Sequence, residues 1–286
     1  MDQIFLQPRA KINVTLNITG RRADGYHEID TVMQTAALCD EMLIKKTARG
    51  VELLTNLKYL PSGEKNLAHA ACSFMLEKYK INSGVRVELK KNIPVSAGLG
   101  GGSADCAAAL VGMRDLFNLP VVNDELIKIS KRFGADVPFC VIGGTARARG
   151  IGEILTPLSP HPKCHVLIAR PPIIVSTAEV FKEFNIYGDY EKPDTEAVIE
   201  GIENKNLKQI AEGIANVLES VTEKKYPVIS RIKKIMLESG ALGALMSGSG
   251  PSVFGYFTDF NHAEAAAETI RETESVKKIF LTEIYN

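Results

Sequence analysis

The chain carries no net charge: 34 lysines and arginines offset 34 aspartates and glutamates over 286 residues, with no long block of either sign. That balance gives no support to bulk nucleic-acid binding or to attachment to an anionic membrane surface. No apolar run approaches the roughly 18 residues of a membrane span, and the N-terminus enters a strand-like pattern without the features of a signal peptide. The expectation is a soluble cytoplasmic protein with no obligate protein partner. Cysteine is sparse, odd in number and never in a Cys-x-x-Cys pair. Cys39, Cys72, Cys106, Cys140 and Cys164 lie mostly among apolar residues and read as reduced, buried small hydrophobes. Among the histidines only His161 and His165 approach metal-ligand spacing. Pro160 and Pro162 keep a helix from aligning them, so a metal site of protein ligands is not expected.

What the chain does have is a concentrated glycine run, Pro94-Val-Ser-Ala-Gly-Leu-Gly-Gly-Gly-Ser-Ala-Asp105. Upstream, Val85, Val87 and Leu89 alternate as in a half-buried strand. Downstream, Cys106, Leu110, Met113 and Phe117 recur at helical steps, which puts Ser103 at the N-cap. Gly98, Gly100, Gly101 and Gly102 lack a Cβ and let backbone N–H groups close around an anion, which the dipole of the following helix also favours. The run reads as a phosphate cradle. A Walker A loop is excluded because no lysine lies in or directly after it. A dinucleotide fingerprint fits poorly: Gly98-x-Gly100-x-x is followed by Ser103, and the next acidic candidates, Asp115 and Asp124, fall in or at the start of helical patterns. A flexible linker is the bland alternative.

Strand-like segments dominate the first half, at 2 to 6, 11 to 19, 29 to 38, 41 to 54 in two pieces, 84 to 90 and 139 to 148. Helices are expected near 65 to 80, 103 to 117 and 124 to 133, the last stopped by Gly134. The second half reads as strand 164 to 170, helices 177 to 184, 205 to 220 and 228 to 239, strands 241 to 247 and 251 to 257, helix 261 to 273 and strand 276 to 283. Leu207, Ile210, Ala211, Ile214, Val217 and Leu218 give the 205 to 220 segment one apolar face. Without the extra helices this is a split β-α-β pattern of the ferredoxin kind. The Pro-rich stretch 157 to 162 suggests two domains, 1–156 and 157–286, and 187 to 195 a polar surface loop.

Three segments carry a family resemblance. The glycine run resembles the ATP-phosphate loop of the GHMP kinases, Pro8-Arg-Ala-Lys-Ile-Asn-Val-Thr-Leu-Asn-Ile18 resembles their first motif, and Gly243-Ala-Leu-Met-Ser-Gly-Ser-Gly-Pro-Ser-Val-Phe254 their third. The resemblance implies a two-domain α+β fold, an N-terminal mixed-sheet ATP-binding domain and a C-terminal ferredoxin-like domain, acting with ATP and Mg²⁺. Asp24-Gly-Tyr-His27 further resembles one subgroup, whose acceptor is a cytidine diphosphate-linked methylerythritol phosphorylated on its 2-hydroxyl during non-mevalonate isoprenoid precursor synthesis. From local sequence alone, Asp24-Gly25 is equally an ordinary turn with an exposed aromatic. Rival readings are another GHMP kinase, a ligand sensor related to galactokinase, or a ribosomal-protein-like fold. The Asp-Gly-Tyr-His string, Lys11 with Asp136, and zero net charge oppose these in turn.

The resemblance also assigns residues. Lys11 and Asn13 share one face of an alternating strand. Taken alone that face could be plain solvated sheet; by resemblance Asn13 and Lys11 flank the accepting hydroxyl, with Lys11 stabilising the alkoxide and the transferring phosphoryl charge. Asp136, in Gly-Ala-Asp-Val-Pro-Phe, could simply cap a turn, and by resemblance is the general base, hydrogen-bonded with Lys11. Tyr26 would stack on the cytosine and His27 hydrogen-bond its edge. Phe181 would cover the other face, although with Val180 and Phe184 it equally suits a core helix; each stack is worth roughly 1–3 kcal/mol. Pro94, Ser96, Gly98, Leu99, Gly100, Gly101, Gly102, Ser103 and Asp105 would wrap ATP, with Ser103 near Mg²⁺. Asn66 is an adenine contact or simply a helix N-cap. Gly248, Ser249 and Gly250 would approach the substrate diphosphate or terminal phosphate. Two departures, Arg9 in place of a small residue and Cys106 in place of alanine, remove no catalytic group.

Overall fold

The computed structural model describes residues 1–186, 188–273, 276 and 278–286. Strands β1 (Gln3–Leu6), β2 (Arg9–Asn13), β3 (Asn17–Arg21), β4 (His27–Cys39), β5 (Glu41–Thr47) and β6 (Val51–Thr55) come first. Then follow α1 (Leu67–Lys78), β7 (Gly84–Lys90), α2 (Gly101–Leu116), α3 (Asn123–Ser130), α4 (Val137–Ile142), β8 (Thr145–Gly150) and β9 (Ile154–Pro157). The remainder is β10 (His165–Arg170), α5 (Thr177–Glu183), α6 (Thr195–Glu203), α7 (Leu207–Gly213), α8 (Glu219–Lys225), α9 (Val228–Glu238), β11 (Gly243–Met246), β12 (Val253–Phe257), α10 (Phe260–Glu272) and β13 (Lys278–Glu283).

These elements form two compact units. The first comprises Met1–Ala10, Leu38–Val95 and Gly100–Ile142. Its sheet has the order β1-β5-β7-β6, antiparallel except for the parallel β6–β7 pair. A parallel pair needs a crossover, and α1 supplies it. Helices α1 and α2 pack on the sheet over a core that includes Ile44, Met75, Val87, Leu110 and Met113. Gly112 is what lets α2 lie this close, because a Cβ there would stand 2.8 Å from Ile44 Cδ1 and Leu6 Cδ1.

The second unit comprises Lys11–Ala37, Ser96–Leu99 and Gly143–Asn286. One of its sheets is fully antiparallel in the order β11-β12-β10-β13, with α9 and α10 against it. Placing β10 between β12 and β13 is the ferredoxin-like arrangement. Met236, Phe257, Ala263, Ala267 and Ile270 fill the core beneath the helices. The other sheet runs β2-β4-β8-β9 with β3 also on β4, and most of its residues belong to this unit.

Several sequence expectations change. The compact units do not divide at 156/157: the Pro-rich stretch lies inside the second unit, because strand pairing joins residues 11–37 to the segment beyond 143. The strand expected at 139 to 148 begins as helix α4, since a short apolar run has no period of its own and Pro138 sits in the first turn, where its missing N–H costs nothing. The helix expected over 205 to 220 breaks after Gly213, whose Cβ would meet Val198 Cγ2 at 2.7 Å. Beyond it the chain extends, and Ala215 O and the Val217 N–H bond Leu16 at 2.9 and 3.0 Å. Strand 11 to 19 divides into β2 and β3, and α3 ends at Ser130, short of Gly134. Helices α6 and α8 and strand β9 are additional. Cys72, Cys106 and Cys164 are buried, whereas Cys39 and Cys140 are only half-buried.

Candidate active site

In the second unit, alternation along β2 turns Lys11 and Asn13 inward, and both are buried. Lys11 Nζ donates to Asn13 Oδ1 at 2.6 Å, and Asn13 Nδ2 donates to Thr31 Oγ1 on β4 at 2.9 Å. Thr31 Oγ1 in turn donates to the Thr15 carbonyl. The amide orientation of Asn13 is thereby fixed, and with it the ammonium. The loop between β11 and β12 closes on the same strand: the Asn13 N–H donates to Ser247 Oγ at 3.2 Å, and Ser247 Oγ donates to the Gly98 carbonyl at 2.8 Å. Leu99 O accepts from the Lys11 N–H at 2.9 Å. Gly98 must be glycine, with φ of +76° and an imagined Cβ only 2.1 Å from the Ser247 carbonyl oxygen. Gly248, Ser249 and Gly250 are buried in this loop, and Ser249 Oγ pairs with Thr177 Oγ1 at 2.7 Å.

Asp24 and Gly25 do form the tight turn between β3 and β4, with Gly25 at φ +89° and the Tyr26 N–H donating to Asp24 Oδ1 at 3.1 Å. Tyr26 is 61% exposed. His27 opens β4 opposite Arg21, and its ring lies 5.5 Å from that of Phe181, tilted by 39°. Val180 on α5 and Phe184 just beyond its end are buried in the core, while Phe181 packs at the core's edge, beside His27. Burial, assisted by Arg21, lowers the His27 pKa below its usual 6.5. A neutral imidazole both donates and accepts a hydrogen bond.

In the first unit, the glycine run leads into α2. Its N-cap is Gly100 at φ +66°, not Ser103, which lies in the first turn. A left-handed cap residue costs a side chain strain that glycine avoids. The first intrahelical bond runs from the Ala104 N–H to the Gly100 carbonyl at 2.8 Å. The N–H groups of Gly101, Gly102 and Ser103 therefore have no acceptor within the helix. Gly102 is exposed, and nothing lies within 4 Å of an imagined Cβ. Packing therefore does not demand glycine there. Pro94 and Leu99 are buried flanks, and Ser96 is exposed at φ +51°.

Asp105 does not face solvent. Its Oδ2 accepts from Lys91 Nζ at 2.6 Å, and Lys91 is bound on its other side by Asp40. Asp40 Oδ1 also accepts from the N–H groups of Asn92 and Ile93 at 2.5 and 2.8 Å. Asp105 Oδ1 is buried with no hydrogen-bond partner, and burial pushes the carboxyl up to about 7. Lys91 Nζ lies 3.3 Å from an imagined Gly101 Cβ, so this buried charge cluster underlies the first turn of α2. Asn66 caps α1, its Oδ1 accepting from the Ala68 N–H at 3.0 Å. Asp136 is half-buried immediately before α4, and its carbonyl accepts from the Cys140 N–H at 3.2 Å.

Two family signatures match this chain, the GHMP kinases N terminal domain over residues 66–144 and the GHMP kinases C terminal over 198–275. A 4-diphosphocytidyl-2-C-methyl-D-erythritol kinase of Acetivibrio thermocellus is 46% identical over 96% of this chain and 97% of its own. One from Lachnospira eligens is 45% identical over 100% and 99%. The chain belongs to the 4-diphosphocytidyl-2-C-methyl-D-erythritol kinase family of GHMP kinases. It is an ATP-dependent small-molecule kinase. A crystal structure of 4-(cytidine 5'-diphospho)-2C-methyl-D-erythritol kinase superposes with TM-score 0.86 at 31% identity over 99% of this chain and all of that one. A homoserine kinase from Cytophaga hutchinsonii reaches 0.78 at 20% identity over 99% of this chain and 95% of its own, a likeness of fold alone.

Sequence reasoning missed Lys91, Asp40, Thr31 and Ser247 in this kinase. Lys91 had a signal: Leu89 faces inward on β7, so alternation turns Lys91 inward too. Asp40, 51 positions away, had none.

Proposed function

We propose that this kinase transfers the γ-phosphoryl group of ATP to the 2-hydroxyl of 4-diphosphocytidyl-2-C-methyl-D-erythritol, in the cytoplasm, as a step of non-mevalonate isoprenoid precursor synthesis. The observation that carries this reading is the His27–Phe181 ring pair beside the exposed Tyr26, on the same unit as the fixed Lys11–Asn13–Thr31 chain. The rings offer stacking surface for a base, and the neutral His27 imidazole can serve both a donor and an acceptor on its edge. The names of close relatives support the same acceptor.

Phosphoryl transfer asks mostly for positioning and charge stabilisation. Lys11, held by Asn13, stabilises charge on the attacking and transferring oxygens, and Asp136 receives the hydroxyl proton. The left-handed run at Ser96, Gly98 and Gly100 opens the backbone of Ser96–Ser103 to the ATP phosphates, and the N–H groups at the start of α2 bind them. Among the described residues no group of three His, Cys, Asp or Glu could hold a metal. By the family resemblance, Mg²⁺ would be held with the ATP phosphates beside Ser103 and would offset phosphate charge there. No helix of the described residues is long and apolar enough to cross a membrane.

ADP release from Mg²⁺-ATP tests the reading, with the cytidine acceptor offered beside mevalonate, homoserine and galactose. Turnover with the cytidine acceptor alone is expected; turnover with another acceptor instead would remove the proposed base pocket. Asp136→Asn should fold and lose on the order of 10²–10⁴-fold in kcat. Because burial lowers the His27 pKa, the neutral ring is the majority form at pH 6.5, and the acceptor KM should rise as the pH is lowered below that.

A further inference from the structure

Asn216 belongs to none of the three motifs, yet its side chain is buried and fully used. Nδ2 donates both hydrogens, to the Met246 carbonyl at 2.8 Å and to the Gly248 carbonyl at 2.7 Å, while Oδ1 accepts from the Leu218 N–H at 3.0 Å. Its backbone lies in the segment 215–217 that bonds Leu16, three residues beyond Asn13. The same loop is held from the other side by Glu219, whose Oε1 accepts from the Met246 N–H at 2.8 Å and whose Oε2 accepts from Lys233 at 2.7 Å.

A trans peptide is planar, with its C=O and N–H pointing in opposite directions. Pinning the Gly248 carbonyl on the Asn216 carboxamide therefore turns the Ser249 N–H away from Asn216. That N–H makes no hydrogen bond among the described residues. The Gly248 α-carbon borders the acceptor that holds Lys11, since a Cβ there would lie 3.3 Å from Asn13 Oδ1. We propose that Asn216 is a positioning residue for phosphoryl transfer: its carboxamide fixes the Gly248–Ser249 peptide so that the Ser249 N–H is presented to an anionic oxygen of substrate, with Ser247 held against Asn13. The inference rests on the kinase reading above.

The test compares wild type, Asn216→Ala and Thr222→Val. Thr222 is a buried neighbour whose hydroxyl donates to the Leu218 carbonyl at 3.2 Å, so its loss perturbs α8 without touching the loop carbonyls. Asn216→Ala should lower kcat with the cytidine acceptor by on the order of 10²-fold, the cost of an ångström-scale misplacement, while binding of a non-hydrolysable ATP analogue is retained. Amide hydrogen exchange across residues 247–252 should quicken in Asn216→Ala and not in Thr222→Val. Wild-type turnover and exchange in folded Asn216→Ala would overturn the proposal, as would an equal kcat loss in Thr222→Val. Should Asn216→Ala not fold, Asn216→Asp takes its place: its protonated acid offers one donor, so its kcat relative to wild type should climb as pH falls, and a flat ratio would overturn the proposal. Absence of wild-type turnover would refute the acceptor assignment, and the exchange measurement still decides whether Asn216 fixes the loop.

Discussion

Two glycine-rich loops serve this kinase, and they use glycine for opposite reasons. In 247–252 every glycine is buried, and Asn216, Ser247 and the Asn13 N–H tie the backbone down. Its partner Gly98 is glycine because the Ser247 carbonyl occupies the place of a side chain. At the start of α2 the position is reversed: Gly102 is exposed with open space around it, over N–H groups the helix cannot use. The first kind of glycine is demanded by packing; at Gly102 packing makes no such demand, and in the proposed function that glycine lets a phosphate approach. Both segments carry the spacing Gly-x-Gly, at 248/250 and at 98/100, so that spacing alone does not tell how a glycine is used.

Substitutions can break this contrast. Gly98→Ala carries the largest expected effect, because it combines a 2.1 Å collision with a left-handed backbone. A loss of about 3 kcal/mol or more in denaturant unfolding is expected, and an unchanged midpoint would refute the packing role. Ser247→Ala leaves the buried Asn13 N–H without its acceptor and should cost about 1–3 kcal/mol together with turnover. Gly102→Ala should behave oppositely: unchanged or slightly raised stability, from better helix propensity, with the KM for ATP raised about tenfold, the worth of one charge-assisted hydrogen bond. A destabilised Gly102→Ala with normal ATP kinetics would erase the distinction.

A separate, pH-dependent effect concerns the cluster beneath α2. An acid whose folded pKa is raised from 3.8 to about 7 disfavours the folded state progressively as pH rises between those values. Asp105→Asn removes that titration. Its melting temperature relative to wild type should therefore increase from pH 4 to pH 7 and level off above; a constant difference would mean that Asp105 does not titrate in this window.

Much of the fold was legible because its signals are local. The alternation of Val85, Val87 and Leu89 placed β7, the Pro-x-x-x-Gly-Leu-Gly-Gly-Gly run marked the turn into α2, and Asn66 announced the cap of α1. The misreadings arose where periodicity was silent or was outcompeted. The apolar run after Asp136 suited strand and helix alike, and the 205 to 220 stripe lost its helix to hydrogen bonds with Leu16, a partner some 200 residues away that no local pattern reveals. Ser103 looked like a cap because serine usually is one, but the backbone needed a left-handed residue, and Gly100 supplied it.

By itself, the sequence pointed to the residues proposed to carry the chemistry: Lys11, Asp136, the glycines, and Tyr26 with His27. These are written as short strings whose spacing sets local backbone geometry. Only the tertiary structure decided how they are held. Asn13 meets Ser247 across 234 positions, Lys91 meets Asp40 across 51, and Asn216 meets Gly248 across 32. Contacts of that kind arise from strand pairing and burial, where a polar side chain taken out of water must find its partner wherever the fold places it.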